Sequence, residues 1–133
     1  SNLVIGYNKN WKQDVNLGKI NNQKFVQIPF LQFIHMLKYK CELLGINVVL
    51  QEESYTSKCS FIDNENICKH SEYLGKRMFR GLFKTSTNYF INADVNGSYN
   101  ILKKFLIKHE AWNEKIFSNL VEVCSTPLVF TIK

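Results

Sequence analysis

Gln51-Glu52-Glu53-Ser54-Tyr55-Thr56-Ser57-Lys58-Cys59-Ser60 is the stretch where the chain passes from regular structure into small and polar residues. The residues before it, 46–50, read Ile-Asn-Val-Val-Leu, an apolar and β-branched run that predicts a strand delivering Glu52 and Glu53 at its end. Earlier still, Phe30, Phe33, Ile34, Leu37, Cys41 and Leu44 recur at helical spacing, with Pro29 suited to a first turn and Gly45 to a stop. His35, Lys38, Lys40 and Glu42 fall on the polar face of that helix. Helix, short turn, strand and acid in this order predict an α/β domain. Adjacent strand residues face opposite sides, so at most one of the two glutamates reaches a common site.

Further along, Ile91-Asn92-Ala93-Asp94-Val95-Asn96-Gly97-Ser98-Tyr99-Asn100-Ile101-Leu102 predicts a helix capped by Asn92 or Asp94 and running to about residue 108. Val95, Tyr99, Leu102 and Leu106 form its apolar stripe, and Ala93 and Gly97 would let another backbone pack closely. Asn96 and Asn100 share this helix and could orient a phosphate or the acid. Residues 3–5, Leu-Val-Ile, predict a buried strand closed by Gly6. Residues 7–27 are polar and predict a long loop anchored by Trp11, Leu17, Ile20 and Phe25. Between Cys59 and Asn88, short apolar islands alternate with polar and basic residues, which predicts a hairpin-bearing insertion. A further helix is predicted over residues 112–123.

The sequence has 133 residues, 45% of them hydrophobic, enough for one core. No apolar run reaches the length of a membrane span, so a cytoplasmic protein is expected, nucleoid-associated if bacterial, with no membrane partner. The four cysteines, at 41, 59, 68 and 124, form no CxxC pair, and reduced thiols are the default. Seventeen Lys and Arg against eleven acids give a formal net charge of +6, a balance that favours a polyanionic partner through counterion release.

A carboxylate at a strand end and another at a helix start could together hold a hard divalent cation, which binds oxygen ligands from a few acids and water. The ordinary structural explanations compete: Asp94 as a helix cap, and Glu52 and Glu53 as a solvated pair. The surrounding residues decide between them. Glu53-Ser54-Tyr55-Thr56-Ser57-Lys58 and Asn92-Ala93-Asp94-Val95-Asn96-Gly97-Ser98-Tyr99-Asn100-Ile101-Leu102 resemble the last two motif blocks of the TnpB (OrfB) family of transposon-encoded proteins. The resemblance extends from about residue 3 to about residue 104, taking in Val4 to Gln13, Asn21 to Pro29 and Met36 to Lys40.

That resemblance implies a partial RNase H-like (RuvC-like) fold and an RNA-guided DNA endonuclease using Mg or Mn, with DNA and a guide RNA as partners. Asp94 matches the family's final catalytic aspartate. Most members carry their middle glutamate at the end of the strand matched by Leu3-Val4-Ile5, where this chain has Gly6. A subset, with the eukaryotic Fanzor relatives, resembles this chain in placing it in a Glu-x-x-Thr-Ser-Lys word, and Glu53 fits that spacing. The first catalytic aspartate has no counterpart, so the expectation is a C-terminal fragment, inactive by itself.

Typical members carry a four-cysteine zinc ribbon between the two blocks, and only Cys59 stands at a ligand position here. No zinc is expected. The resemblance implies core parts at residues 1–58 and 89–133, with residues 59–88 a small β-hairpin subdomain in place of the ribbon, stabilised by Phe61, Ile62, Tyr73, Leu74 and Phe79. Lys76, Arg77, Arg80 and Lys84, with Lys58 after the strand, are candidate phosphate contacts; as a bare pattern they also suit a solvated face. The interleaved aromatics suit either a core or base stacking. Loss of the site at Gly6 would leave a catalytically inert nucleic-acid-binding module, and a plain α/β interaction domain is the third possibility.

Overall fold

The computed structural model describes residues 1–8 and 30–125 and divides into two compact units, Ser1–Glu53 and Ser54–Lys133. The expected loop over residues 7–27, beyond Asn8, and the first-turn proline at 29 lie outside the described residues.

In the first unit, strands β1 (Asn2–Tyr7) and β2 (Asn47–Glu52) pair in parallel, with helix α1 (Phe30–Leu43) between them in sequence. The register runs from Asn2 opposite Asn47 to Tyr7 opposite Glu52, and the Glu53 amide continues it by donating to the Tyr7 carbonyl at 3.1 Å. Gly6 does not close β1: it lies within the ladder, opposite Gln51, because a parallel partner continues alongside it. Gly45 does end α1. At φ +69° it takes the left-handed conformation that suits glycine after a helix, and the Ile46 amide then donates to the Cys41 carbonyl. The apolar face of α1 is only partly covered. Ile34 is buried, whereas Phe33 is exposed, as is Leu44 just past the helix end.

In the second unit, strands β3 (Lys76–Phe79), β4 (Leu82–Lys84) and β5 (Phe90–Asn92) form an antiparallel sheet in that order. The predicted hairpin is thus the edge of a three-stranded sheet, with Arg80-Gly81 turning between β3 and β4. Phe83 and Ile91 are opposite one another and both buried, which sets the inner face. Gly75 lies against the ring of Phe83, where a Cβ would collide with it. Helix α2 (Ala93–Lys108) follows β5 directly, and α3 (Glu114–Ser125) completes the unit.

The irregular residues 54–75 carry backbone groups that no strand or helix satisfies, and α2 supplies their partners. Asn96, fully buried, accepts from the Phe61 amide at 2.9 Å and donates to the Cys59 carbonyl at 2.9 Å. Asn100, equally buried, donates to the carbonyls of Thr56 at 2.9 Å and Cys59 at 2.7 Å. Lys103, one turn further on, donates to the Glu65 carbonyl at 2.8 Å. Between these contacts Phe61 enters the interior, its ring centroid 5.1 Å from Tyr99 and 5.7 Å from Phe117.

Three expectations are corrected here. The fully buried positions of α2 are Asn96, Asn100 and Lys103, while Val95, Tyr99, Leu102 and Leu106 are half-buried, because this helix packs against bare backbone. Among the described residues nothing approaches within 4 Å of where a Cβ would sit at Gly97, so none of their backbone packs closely there. Of the residues expected to hold residues 59–88 together, Phe61 is buried, but Leu74 and Phe79 are exposed.

Replacing Asn96 by Ala strands the buried Phe61 amide. The expected loss of stability is about 2–4 kcal/mol, from an unsatisfied donor and a small cavity. Urea denaturation of Asn96→Ala beside the exposed control Ser98→Ala measures it, and the control is expected to change by less than about 0.5 kcal/mol.

Candidate metal and nucleic-acid site

Glu53 follows the last residue of β2 and shares strand parity with Val49 and Gln51, the latter buried. Glu52 has the opposite parity. Gln51 donates to the Glu52 carbonyl at 3.1 Å, which steadies the end of the strand. Burial pushes the Glu53 carboxyl above the ordinary carboxylate range, and the charge of neighbouring Glu52 pushes it the same way. A half-buried carboxylate beside another negative charge is a place where a cation would be welcome.

Asp94 lies in the first turn of α2, in the second unit. It is not the cap: the Asn92 side chain accepts from the amides of Asp94 at 2.8 Å and Val95 at 3.1 Å. The Asp94 carboxylate is exposed and makes no hydrogen bond or ion pair among the described residues. The two acids therefore belong to different units, Glu53 at the end of one and Asp94 at a helix start in the other.

The basic residues gather on the small sheet. Lys76 and Lys84 are directly opposite across β3 and β4, Arg77 is opposite Phe83, and Arg80 occupies the tight turn before Gly81. Lys76, Arg77 and Arg80 are exposed, and the Lys84 ammonium lies 5.9 Å from the centre of the Phe90 ring. Lys58 is exposed in the loop that Asn100 clamps, with its ammonium 6.0 Å from the centre of the Tyr73 ring.

The segment between the two acids is organised by a residue that the sequence did not single out. Glu65 is buried, and its two carboxylate oxygens accept from the Ser60 amide at 2.8 Å and the Leu74 amide at 2.9 Å. His70 approaches the same carboxylate at 3.9 Å. Cys59 points its thiol at the carbonyls of Asn66 and Cys68, and burial pushes that thiol up, away from the thiolate that a metal requires. Cys68 faces His70, with sulfur and ring nitrogen 3.5 Å apart. Among the described residues no three His, Cys, Asp or Glu side chains are grouped so as to hold a metal ion. The missed signal at Asn96 and Asn100 was their interior helical position, which asparagine occupies without penalty only when its amide has a partner.

The sequence matches a family model that puts the chain among proteins related to TnpB- and Cas12-type nucleases. Residues 30–101, more than half of the chain, match the Cas12f1-like TNB domain, and the chain belongs to that family. Comparison with curated proteins and with solved structures gives no match. No helix among the described residues is long and apolar enough to cross a membrane.

Asp63 ties this segment to the sheet, accepting from both the amide and the hydroxyl of Ser86. Burial raises its pKa, but hydrogen bonds from Ser60 and Ser86 outweigh that and hold it below 3.8. A depressed folded-state pKa contributes stability above the unfolded value, and that contribution is lost as pH falls through the folded value. Asp63→Asn is therefore expected to lower the thermal midpoint at pH 7, with the difference from the parent shrinking as pH drops below 3.8. Melting curves at pH 7, 5 and 3 test the sign.

Proposed function

We propose that this chain is the C-terminal part of a transposon-encoded, RNA-guided DNA endonuclease of the TnpB type, in the subset with a relocated glutamate, acting in the cytoplasm or on the nucleoid. The observation that carries this is the span of the family match, which contains both Glu53 and Asp94 and the segment that separates them. Glu53 and Asp94 are the proposed carboxylate ligands of Mg or Mn. Their chemistry suits a hard cation: one carboxyl is disfavoured as an anion by burial and by Glu52, and the other has oxygens uncommitted to the helix cap. Such an ion supplies charge neutralisation and an activated water for phosphodiester hydrolysis.

Among the described residues no third ligand accompanies the two, so the set would be completed from elsewhere, and the isolated chain would bind nucleic acid without cutting it. Lys58, Lys76, Arg77, Arg80 and Lys84 would neutralise phosphate, with DNA and guide RNA as the polyanions. Zinc has no part in this proposal. Glu65 joins Ser60 and Leu74 by hydrogen bonds, where a ribbon would use metal bonds. One observation favours an inert module instead: Gly6, within the β1 ladder opposite Gln51, offers no side chain where the resemblance to TnpB proteins puts the glutamate of most members.

Cleavage of DNA by the longest natural form of the protein, with its guide RNA and Mg or Mn, distinguishes the two. Glu53→Gln and Asp94→Asn are each expected to lower the rate at least about a hundredfold, since even the outer partners of metal ligands are worth about 10–100-fold. Glu52→Gln should stay within about threefold. Retained cleavage in Asp94→Asn would remove the metal assignment, and binding without cleavage by the parent would favour the inert module.

A further inference from the structure

Asn96 and Gly97 form the one Asn-Gly pair in the sequence, and every other asparagine is followed by a residue with a side chain. The pair carries a chemistry of its own. The backbone nitrogen of the residue after an asparagine can attack the side-chain carbonyl carbon and close a five-membered succinimide. Glycine, with no Cβ, leaves that nitrogen least obstructed. Among the described residues nothing else screens it, since none approaches within 4 Å of where a Cβ would sit. Asn100, the other clamp residue of α2, precedes Ile101, whose branched side chain crowds the nitrogen.

The fold holds the pair unreactive. Asn96 is fully buried and both ends of its amide are occupied: the oxygen accepts from the Phe61 amide and the nitrogen donates to the Cys59 carbonyl, each at 2.9 Å. Ring closure requires the side chain to leave both partners and swing onto the next nitrogen. Gly97 is the fifth residue of α2, the first whose own N–H the helix engages by an i→i−4 bond. Its nitrogen must give up that proton to attack. Water, which completes the reaction, is kept from a side chain with no exposed surface. All three barriers disappear together when α2 lifts from residues 56–61.

We propose that Asn96 is a deamidation site, silent in the folded chain and reactive whenever α2 separates from the segment it clamps. The Gly97 nitrogen bonds to Asn96 Cγ, the Cγ–Nδ2 bond breaks, and the side-chain nitrogen leaves as ammonia with the proton that Gly97 gave up. One water then opens the succinimide, giving aspartate or, where the former backbone carbonyl is attacked, isoaspartate. No electrons change hands. Neither product fits the place that Asn96 held. Aspartate can accept from the Phe61 amide, but it has no N–H for the Cys59 carbonyl and sets a buried charge against that oxygen. Isoaspartate also inserts a methylene into the backbone of the helix. Each opening therefore risks a lesion that prevents closing, and the residue that clamps the irregular segment also limits how often that segment can be released.

Mass spectrometry of the 133-residue chain, held with reduced thiols at mildly alkaline pH for equal times in buffer and in guanidinium chloride, tests this. Tryptic cleavage at Lys84 and Lys103 releases one peptide with Asn88, Asn92, Asn96 and Asn100, so three asparagines serve as internal controls. In denaturant Asn96 is expected to convert faster than the other three. In buffer its conversion should be at least about a hundredfold slower, because the attack waits for an open state. After dilution of the denaturant, the fraction that refolds, read by near-ultraviolet circular dichroism, should fall at the rate of Asn96 conversion. Gly97→Ala puts a methyl into open space in a helix interior that favours alanine, so it folds, and its refolding yield should hold over the same period. Conversion in buffer at the rate seen in denaturant would overturn the proposal. So would a parent whose Asn96 survives denaturant unchanged, or a Gly97→Ala chain that loses refolding as fast as the parent.

Discussion

A stretch of some twenty residues without helix or strand that buries Thr56, Cys59, Ser60, Phe61 and Glu65 must find partners for the amides and carbonyls it takes out of water. In this chain α2 meets that constraint. Its inward face is made of Asn96, Asn100 and Lys103, which reach the backbone of Thr56, Cys59, Phe61 and Glu65. An apolar stripe of the usual kind would bury those peptide groups without partners, at about 1–3 kcal/mol each. Asn96 also fixes the register of the helix, since an amide that accepts from the Phe61 N–H and donates to the Cys59 carbonyl at once tolerates little rotation. Asp94, two residues before Asn96, inherits that fixed position, while Asn92 takes over the capping role.

Glu65 has a comparable part on the other side of the segment. A metal ribbon draws two loops together by four bonds to one ion. Here one buried carboxylate draws Ser60 and Leu74 together by two charge-assisted hydrogen bonds, with His70 nearby. Lys103, buried under Trp112 at 5.4 Å, supplies a positive charge close to the same segment. Burial disfavours its ammonium form, while Cys59 and Glu65 oppose that effect. The arrangement depends on hydrogen-bond geometry, with each Glu65 oxygen serving one amide.

The parts of this fold that were legible in the sequence are those governed by periodicity. The α1 spacing and its glycine stop, the strand leading to Glu52, the cap at Asn92 and the extent of α2 all follow from local pattern, and the structure has them. Local pattern is silent on partners far away in the chain. Asn96 and Asn100 looked like ordinary helix polarity, or ligands for phosphate, because nothing nearby in sequence shows that residues 56–61 fold beneath them. Glu65 looked like one more acid in a turn for the same reason. Gly97 shows that a small residue permits close packing but does not require it. Leu74 and Phe79 looked like core because hydrophobicity says that a residue prefers burial and cannot say that burial is available.

The exposure of Phe79 and Phe90 is therefore the least conventional part of the sheet. The inner face has two strong occupants, Phe83 against Gly75 and Ile91 opposite it, and strand alternation forbids Phe90 or Phe79 from joining them. A sequence under pressure only to keep the sheet stable and soluble would place lysine or threonine at those outer positions, as it does at Lys76 and Lys84. Rings there enlarge the apolar surface in contact with water and invite association. A ring buried in the core is explained by packing; Phe79 and Phe90 are held in solvent by the register of their own strands, which leaves the inner face to Phe83 and Ile91.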